Sequence, residues 1–274
     1  MRKLLLTLAA SLLLASCTMD SFMFNAEPLT EYRLSTAVIP DTSRVEVAIQ
    51  SEGETIYGYF VRQTDSLRVK PHPTIIYHHG NRDHLQLYWD RVELLYQAGF
   101  DVFIYDYRGF GKSTGTSSEQ GLKADARAVL TYVLGRKDVD STQIVHYGFS
   151  LGGFPALYSA TELHAPKALI TESIFASGET LVQSGTLLNV PGSYLLEGAF
   201  DNTVPMQRRS CPVLLIHGTK DTFISVESNG QRLYDLARQP KTFVRIEGAD
   251  HTDVPNVYGT QNYIDLITTF IRGN

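Results

Sequence analysis

The stretch Gly148-Phe149-Ser150-Leu151-Gly152 places a serine two residues from a glycine on each side. An apolar run over residues 143–147 precedes it and is typical of a buried strand, and a helix is predicted to begin near Gly153. A sharp turn between a strand and a helix exposes the serine hydroxyl, and the turn needs glycines because larger side chains would clash. We therefore predict that Ser150 is a nucleophile and that the Leu151 N–H faces the oxyanion created by its attack.

Strand-like and helical segments alternate along the rest of the chain. Helices are predicted over residues 85–97 and 258–272, and a further helix from a capping box of Thr116 and Glu119 to about residue 134. This alternation is typical of an α/β domain whose mainly parallel sheet carries helices on both faces. The first two strand-like runs predict a hairpin, since only a short turn separates them. The strand-like runs cover residues 45–49, 55–61, 74–77, 102–105, 143–147, 168–171, 213–217 and 242–246.

A serine nucleophile needs a base and a group that orients the base. Asp221 and His251 each follow a strand-like run through a loop that contains glycine. Active groups of open α/β sheets collect at the carboxyl ends of the strands, so both residues are predicted to lie near Ser150. We predict that Ser150, Asp221 and His251 form a catalytic triad. Glu172, at the end of an earlier strand, is an alternative acid, because a triad is defined by its geometry.

A second amide donor for the oxyanion is expected in the loop after the strand over residues 74–77. This loop contains His79, Gly80 and Asn81. Glycine at position 80 allows the backbone to approach a substrate closely. The Asn81 N–H is therefore the predicted second donor, and His79 is predicted to brace the loop.

Five ordered motifs resemble those of the α/β-hydrolase superfamily, in the serine-hydrolase branch that includes serine aminopeptidase-like and related membrane-associated hydrolases. The resemblance spans about residues 45–270. It implies the α/β-hydrolase fold, the triad named above, and the amides of Asn81 and Leu151 as the oxyanion hole. The motifs are His78-His79-Gly80-Asn81, Asp106-Tyr107-Arg108-Gly109-Phe110-Gly111-Lys112-Ser113, the stretch around Ser150, His217-Gly218-Thr219-Lys220-Asp221 and Gly248-Ala249-Asp250-His251.

The function predicted from these residues is hydrolysis of an ester or thioester through an acyl-enzyme. Residues 173–205 are longer than an ordinary crossover and rich in apolar residues, which predicts a small lid over the site. Residues 168–207 contain no lysine or arginine. A substrate with a phosphate or carboxylate would need cationic partners, so we expect a small-molecule or lipid-like acyl substrate.

Three alternatives remain open at the level of sequence. The same triad is compatible with an aminopeptidase-like amide hydrolase. A catalytically inactive binding protein on a hydrolase scaffold is compatible with the fold, since fold alone does not prove activity. The pattern of His79, Asn81, Asp83 and His84 differs at one position from a zinc-hydrolase motif, although asparagine is a poor zinc ligand.

The N-terminus has the features of a bacterial lipoprotein signal peptide. Arg2 and Lys3 precede an uncharged run over residues 4–14, which is too short to span a bilayer. The sequence Leu14-Ala15-Ser16-Cys17 resembles the lipobox of bacterial lipoproteins, in which the cysteine is lipidated and becomes the new N-terminus. The resemblance implies a signal peptide over residues 1–16 and a lipid anchor at Cys17.

The mature chain is predicted to contain an anchored tether over residues 17–40, with residues 22–24 as a docking patch, and a hydrolase domain over residues 41–274. Thr18 follows Cys17, at the position where similar lipoproteins need aspartate to stay in the inner membrane. We therefore expect the protein in the bacterial cell envelope, bound to the outer membrane through Cys17.

Composition excludes several other classes of protein. A formal net charge of −5 and a pI near 5.9 do not fit a nucleic-acid-binding protein, which would carry a basic face. Two cysteines cannot form a disulfide scaffold, and Cys211 is predicted to be a buried packing residue. No cofactor and no metal are expected, and the sequence does not indicate an oligomeric state.

Overall fold

A computed structural model describes residues 24–63, 72–185 and 199–274. The predicted signal peptide (residues 1–16), Cys17, the first part of the predicted tether and residues 186–198 of the predicted lid lie outside the described residues. The described strands are β1 (Asn25–Ala26), β2 (Arg44–Ser51), β3 (Glu54–Val61), β4 (Thr74–His78), β5 (Arg82–Asp83), β6 (Asp101–Tyr105), β7 (Ile144–Phe149), β8 (Ala168–Glu172), β9 (Val213–Gly218) and β10 (Lys241–Ile246).

Eight of these strands form one sheet, in the order β10-β9-β8-β7-β4-β6-β3-β2. Neighbouring strands from β10 to β6 are parallel, whereas β3 pairs with both β6 and β2 in antiparallel fashion. The four central strands β4, β6, β7 and β8 are buried along their whole length, as expected for parallel strands covered on both faces. The predicted mainly parallel α/β sheet and its N-terminal hairpin are confirmed.

Helices cover both faces of this sheet. On one face, alternate strand residues such as Tyr77 and Tyr147 pack against α1 and α8. On the other face, residues such as Ile76 and Phe103 pack against α2 and α3. This division follows from the alternation of side chains along each strand. The α-helices of the described part are α1 (Trp89–Gln97), α2 (Glu119–Leu134), α3 (Gly153–Tyr158), α4 (Gly178–Gly185), α5 (Thr203–Arg208), α6 (Arg232–Leu236), α7 (Val254–Tyr258) and α8 (Thr260–Gly273).

The start of α2 corrects one prediction, because the capping box of Thr116 and Glu119 does not form. Ser118 has an extended backbone, and its hydroxyl accepts a hydrogen bond from the Gly121 N–H at 3.0 Å. Ser118 is therefore the N-cap, and Glu119 is the first residue of the helix. The Glu119 carboxylate instead accepts a hydrogen bond from the Phe200 N–H at 2.9 Å.

Residues 24–40, where we expected a tether, pack against the hydrolase domain. Phe24 and Ile39 are buried, and β1 pairs in parallel with β5. A free tether would expose both side chains to water, and their burial is favourable. Within the described residues, no helix has the length and apolar character needed to cross a membrane.

Two buried histidines join neighbouring strands in the centre of the sheet. The His78 Nε2 lies 3.0 Å from His146 Nδ1, and the His78 Nδ1 lies 2.9 Å from the Tyr105 hydroxyl. Burial, followed by the charge of His164, lowers the pKa of His146 to about 3. Burial, followed by the charges of His146 and His79, lowers the pKa of His78 well below its usual value. Both rings are therefore neutral in the folded protein at neutral pH.

These two histidines predict that the protein loses stability in mild acid. Their pKa values are lower in the folded than in the unfolded chain, so the unfolded state binds more protons below a pH of about 6.5. From His146 alone, the free energy of unfolding should fall by about 1.6 kcal/mol between pH 6.5 and 5. Urea unfolding at a series of pH values measures this slope. His146→Gln should be less stable at pH 7 but should show a shallower slope, and an unchanged slope would contradict this explanation.

Candidate active site

Ser150 lies in a sharp turn between β7 and α3. Its φ of 52° is in the left-handed region, which is uncommon for a residue with a side chain. A Cβ at Gly148 would come within 2.5 Å of the Gly152 carbonyl oxygen, and one at Gly152 within 1.9 Å of the His78 carbonyl oxygen. Glycine is therefore required at both positions. The turn presents Ser150 at the carboxyl edge of the sheet, as the sequence predicted.

Three predicted site residues form a hydrogen-bonded row at this edge. The His251 Nε2 lies 3.1 Å from the Ser150 Oγ, and the His251 Nδ1 lies 2.8 Å from the Asp221 Oδ2. Asp221 follows β9 and His251 follows β10, so each side chain comes from the end of a different parallel strand. The structure brings Ser150, His251 and Asp221 together in the order that a nucleophile, a base and an orienting acid require.

The Asp221 carboxylate is held in its ionised form. Its Oδ1 accepts hydrogen bonds from the Phe223 N–H at 3.0 Å and the Ile224 N–H at 2.7 Å. Burial raises the pKa of Asp221, but hydrogen bonds from His217 and His251, with the charge of His251, outweigh burial and lower the pKa well below its usual range. An ionised acid stabilises a positive charge on the neighbouring His251 ring.

Glu172, the alternative acid, is bonded to other groups. Its carboxylate lies 3.2 Å from the Arg91 guanidinium and accepts hydrogen bonds from the hydroxyls of Tyr147 and Tyr263, the latter at 2.5 Å. Arg91 also donates to the Thr252 carbonyl oxygen at 2.8 Å, one residue beyond His251. The structure therefore places Glu172 in a buried network beneath the site. The sequence does not single out Arg91, because its position in the predicted helix over residues 85–97 is that of any residue that faces the core.

The loop after β4 lies beside Ser150. Asn81 lines the same cavity as Ser150, and a Cβ at Gly80 would come within 2.9 Å of the Tyr88 hydroxyl. The His79 Nδ1 lies 2.7 Å from the Gly80 carbonyl oxygen, and its ring stacks on Tyr88 with ring centres 5.1 Å apart. These contacts support the prediction that His79 braces the loop. Leu151, the other predicted donor, follows Ser150 in a short 3₁₀ turn that leads into α3.

The zinc alternative lacks the side-chain arrangement that it needs. Within residues 24–63, 72–185 and 199–274, no three His, Cys, Asp or Glu side chains lie close enough to share a metal ion. The His79 ring is instead held by the loop backbone and by stacking, with its Nε2 3.2 Å from the Asp106 carboxylate. Asp83 and His84 do not complete a metal site with it.

Cys211 is buried, and burial raises the pKa of its thiol, as expected for a packing residue.

A cavity of about 540 Å³ opens beside Ser150. Its rim includes the half-exposed apolar side chains Leu87 and Phe223, and Phe223 packs edge-on against the His251 ring with centres 5.2 Å apart. Asp90, with 68% of its side chain exposed, contributes a negative charge. The complete lining consists of Asn25, Asn81, Arg82, Leu87, Tyr88, Asp90, Arg91, Phe149, Ser150, Phe223, His251 and Thr252.

Comparison with known proteins places this chain in a family. Residues 73–169 match the family model described as the alpha/beta hydrolase fold. The uncharacterized protein YfhR of Escherichia coli O157:H7 is 34% identical over 224 residues, which cover 80% of this chain and 77% of that protein. Alpha/beta hydrolase domain-containing protein 17B of Xenopus laevis is 31% identical over 222 residues, which cover 81% of this chain and 72% of that protein.

A solved structure shows the same fold. An esterase of Pyrococcus furiosus superposes with a TM-score of 0.74 at 18% sequence identity, over 91% of this chain and 98% of the esterase. At that identity the likeness concerns the fold. The two relatives named above are more than 30% identical, and the matched segments cover most of the length of each, which is enough to show the family. This chain belongs to the alpha/beta hydrolase family.

Proposed function

We propose that this protein is a serine hydrolase that cleaves an ester or thioester on a triad of Ser150, His251 and Asp221. The observation that carries the proposal is the placement of the His251 ring, whose two nitrogens lie 3.1 Å from the Ser150 hydroxyl and 2.8 Å from the Asp221 carboxylate. In this arrangement one nitrogen can accept the serine proton while the carboxylate fixes the tautomer of the ring.

The reaction would proceed in two halves. His251 Nε2 takes the Ser150 proton as the Oγ bonds to the substrate carbonyl carbon, and the N–H groups of Leu151 and Asn81 stabilise the resulting oxyanion. The oxyanion collapses and expels the alcohol or thiol, which receives the proton from His251 and leaves an acyl-enzyme. Water then attacks the ester of the acyl-enzyme with the same base, and the acid product departs as Ser150 regains its proton.

The cavity favours a neutral ester with an apolar group as the substrate class, because both arginines of its lining pair with carboxylates, Arg82 with Asp83 at 3.6 Å and Arg91 with Glu172 at 3.2 Å. Leu87, Phe149 and Phe223 give it apolar walls close to the Ser150 hydroxyl. The likeness to a solved esterase agrees with this chemistry. Asp90 lies 3.8 Å from the Arg91 guanidinium but has 68% of its side chain exposed, so its carboxylate is also open to a substrate amine at the same cavity. An aminopeptidase-like amide hydrolase is therefore the second candidate. The kcat/KM values on a panel of esters, thioesters and aminoacyl amides distinguish the two candidate activities.

The first test is Ser150→Ala, which should abolish hydrolysis and labelling by a fluorophosphonate. Alanine fits the same left-handed backbone, so the free energy of unfolding should change by less than about 1 kcal/mol. Ser173→Ala is a matched control, because Ser173 has a φ of 51° and follows the neighbouring strand β8. The control should keep activity and labelling. Hydrolysis that survives Ser150→Ala would exclude the proposed nucleophile.

The second test concerns the acid. Asp221→Asn should lower kcat/KM about 10³- to 10⁴-fold, because asparagine favours the wrong tautomer of His251. Glu172→Gln serves as the comparison, since the Glu172 carboxylate bonds to Arg91, Tyr147 and Tyr263. Steady-state kinetics on a soluble ester measures both variants. A larger loss in Glu172→Gln than in Asp221→Asn would transfer the role of the acid to Glu172.

We further propose that Cys17 carries a lipid anchor that holds the protein at the outer membrane of a bacterial cell envelope. The proposal is supported by the lipobox-like sequence that ends at Cys17. Several acyl chains on one residue exceed the two-signal threshold for stable anchoring. Cys17 precedes Phe24 by seven residues, a stretch that spans at most about 25 Å when fully extended. An anchor at this position would keep the cavity close to the lipid surface.

Cys17→Ser should move the protein from the membrane fraction to the soluble fraction without changing its kcat on a soluble ester. The location should change because the variant lacks the lipid, and kcat should not change because the catalytic residues are the same. Fractionation of cells and an activity assay on both fractions measure the effect. Retention of the variant in the membrane fraction would show that another segment binds the membrane.

A further inference from the structure

Residues 24–33, which we call the N-terminal strap, lie across two loops at the carboxyl edge of the sheet. The Glu27 N–H donates to the Asp83 carbonyl oxygen at 3.0 Å, and the Gly111 N–H donates to the Glu27 carbonyl oxygen at 3.0 Å. The Leu29 N–H donates to the Gly111 carbonyl oxygen at 2.8 Å. The strap therefore links the loop that carries Asn81 to the loop that follows β6.

Side chains fix the strap at both ends. Phe24 is 8% exposed, and its ring packs edge-on against Phe110 and Phe200 with centres 6.3 Å and 6.0 Å apart. At the other end, the Tyr32 hydroxyl donates to the Asp106 Oδ2 at 2.5 Å. A Cβ at Gly111 would come within 1.9 Å of the same carboxylate oxygen. The strap is thus held by side-chain contacts at Phe24 and at Tyr32.

Asp106 connects the strap to the structure around Ser150. Its Oδ1 accepts a hydrogen bond from the Leu85 N–H at 2.6 Å and lies 3.2 Å from the His79 Nε2. His79 lies two residues before Asn81 in the loop after β4. The same carboxylate therefore contacts the strap on one side and the loop of the proposed oxyanion donor on the other.

Asn25 brings the strap to the cavity itself. Its backbone N–H donates to the Asn81 Oδ1 at 3.2 Å, and Asn25 lines the cavity together with Asn81 and Ser150. Next to this contact, Asn25 pairs with Arg82 and Ala26 pairs with Asp83 in the two-stranded ladder of β1 and β5. The residue after the proposed oxyanion donor is therefore the first residue of that ladder.

We propose that Asn25, in the N-terminal strap, is a positioning residue for the oxyanion hole. The Asn25 N–H holds the Asn81 side chain, and the ladder holds the backbone that follows it, so that the Asn81 N–H keeps its direction towards the reacting carbonyl oxygen. Preorganised donors stabilise a developing oxyanion because they need not reorient during the reaction. The inference rests on the proposed serine-hydrolase function.

The test uses the full chain with two substitutions that remove opposite halves of one hydrogen bond. Asn25→Pro removes the donor N–H, and Asn81→Ala removes the acceptor oxygen but keeps the Asn81 backbone N–H. Each should lower kcat on a soluble neutral ester at least about 10-fold, since loss of one oxyanion donor costs about 10²- to 10³-fold. KM should stay within about twofold, because an interaction made mainly in the transition state affects kcat.

The double variant and a control separate positioning from general stability. Because both substitutions break the same bond, the double variant should be no slower than the slower single variant within about threefold. Glu31→Ala is the matched control within the strap, since the Glu31 side chain is 67% exposed and pairs with the exposed Arg33. It should leave kcat unchanged. The rate of fluorophosphonate labelling should fall in parallel with kcat in the two single variants.

Several results would overturn the inference. Unchanged kcat in Asn81→Ala would do so even where Asn25→Pro fails to fold, and so would effects that multiply in the double variant or that appear only in KM. The proposed function is judged separately by Ser150→Ala. An inactive Ser150→Ala together with full activity in Asn25→Pro and Asn81→Ala would reject the positioning role of Asn25 alone, whereas an active Ser150→Ala would reject the proposed function itself.

Discussion

The close packing of the Ser150 turn against the end of β4 is the constraint on which the rest of the site depends. Gly152 lies so near the His78 carbonyl oxygen that any Cβ would clash at 1.9 Å. This contact keeps the serine turn and the loop of Asn81 side by side, since His78 is the last residue of β4. A substrate carbonyl beside Ser150 is therefore also beside the loop proposed to stabilise its oxyanion.

A buried polar network supports the site from below. Glu172 and Arg91 form an ion pair with side chains 0% and 7% exposed, and Arg91 reaches the Thr252 carbonyl oxygen. Arg91 also lies over the Phe149 ring, at 5.8 Å from its centre, next to Ser150. A buried ion pair contributes little net stability compared with apolar residues, but its geometry is specific. We infer that this ion pair fixes the loop of His251 relative to β7, the strand that ends next to Ser150.

The sequence allowed the sheet and the three hydrogen-bonded residues to be predicted, because both depend on local patterns. Apolar runs of strand length mark the buried strands, and Asp221 and His251 follow such runs directly. The true cap of α2 was missed because Ser118 and Thr116 are equally suitable residue types, and only backbone geometry distinguishes them. The packing of residues 24–40 was missed for another reason. Its backbone hydrogen bonds to Asp83 and Gly111 join residues more than 50 positions apart, and such contacts leave no periodic pattern in the sequence.

Asp221 connects the proposed chemistry to the shape of the cavity. One carboxylate oxygen lies 2.8 Å from His251, while the other accepts the N–H groups of Phe223 and Ile224. Phe223 forms part of the cavity rim and packs against the His251 ring. The proposed acid thus also fixes the backbone of a residue that would contact the substrate. Because the proposed base and this part of the rim contact one carboxylate, a substitution of Phe223 that alters substrate preference must also keep His251 in place. Leu87 also lines the cavity but contacts neither Asp221 nor His251 among the described contacts, so the lining can vary there without disturbing His251.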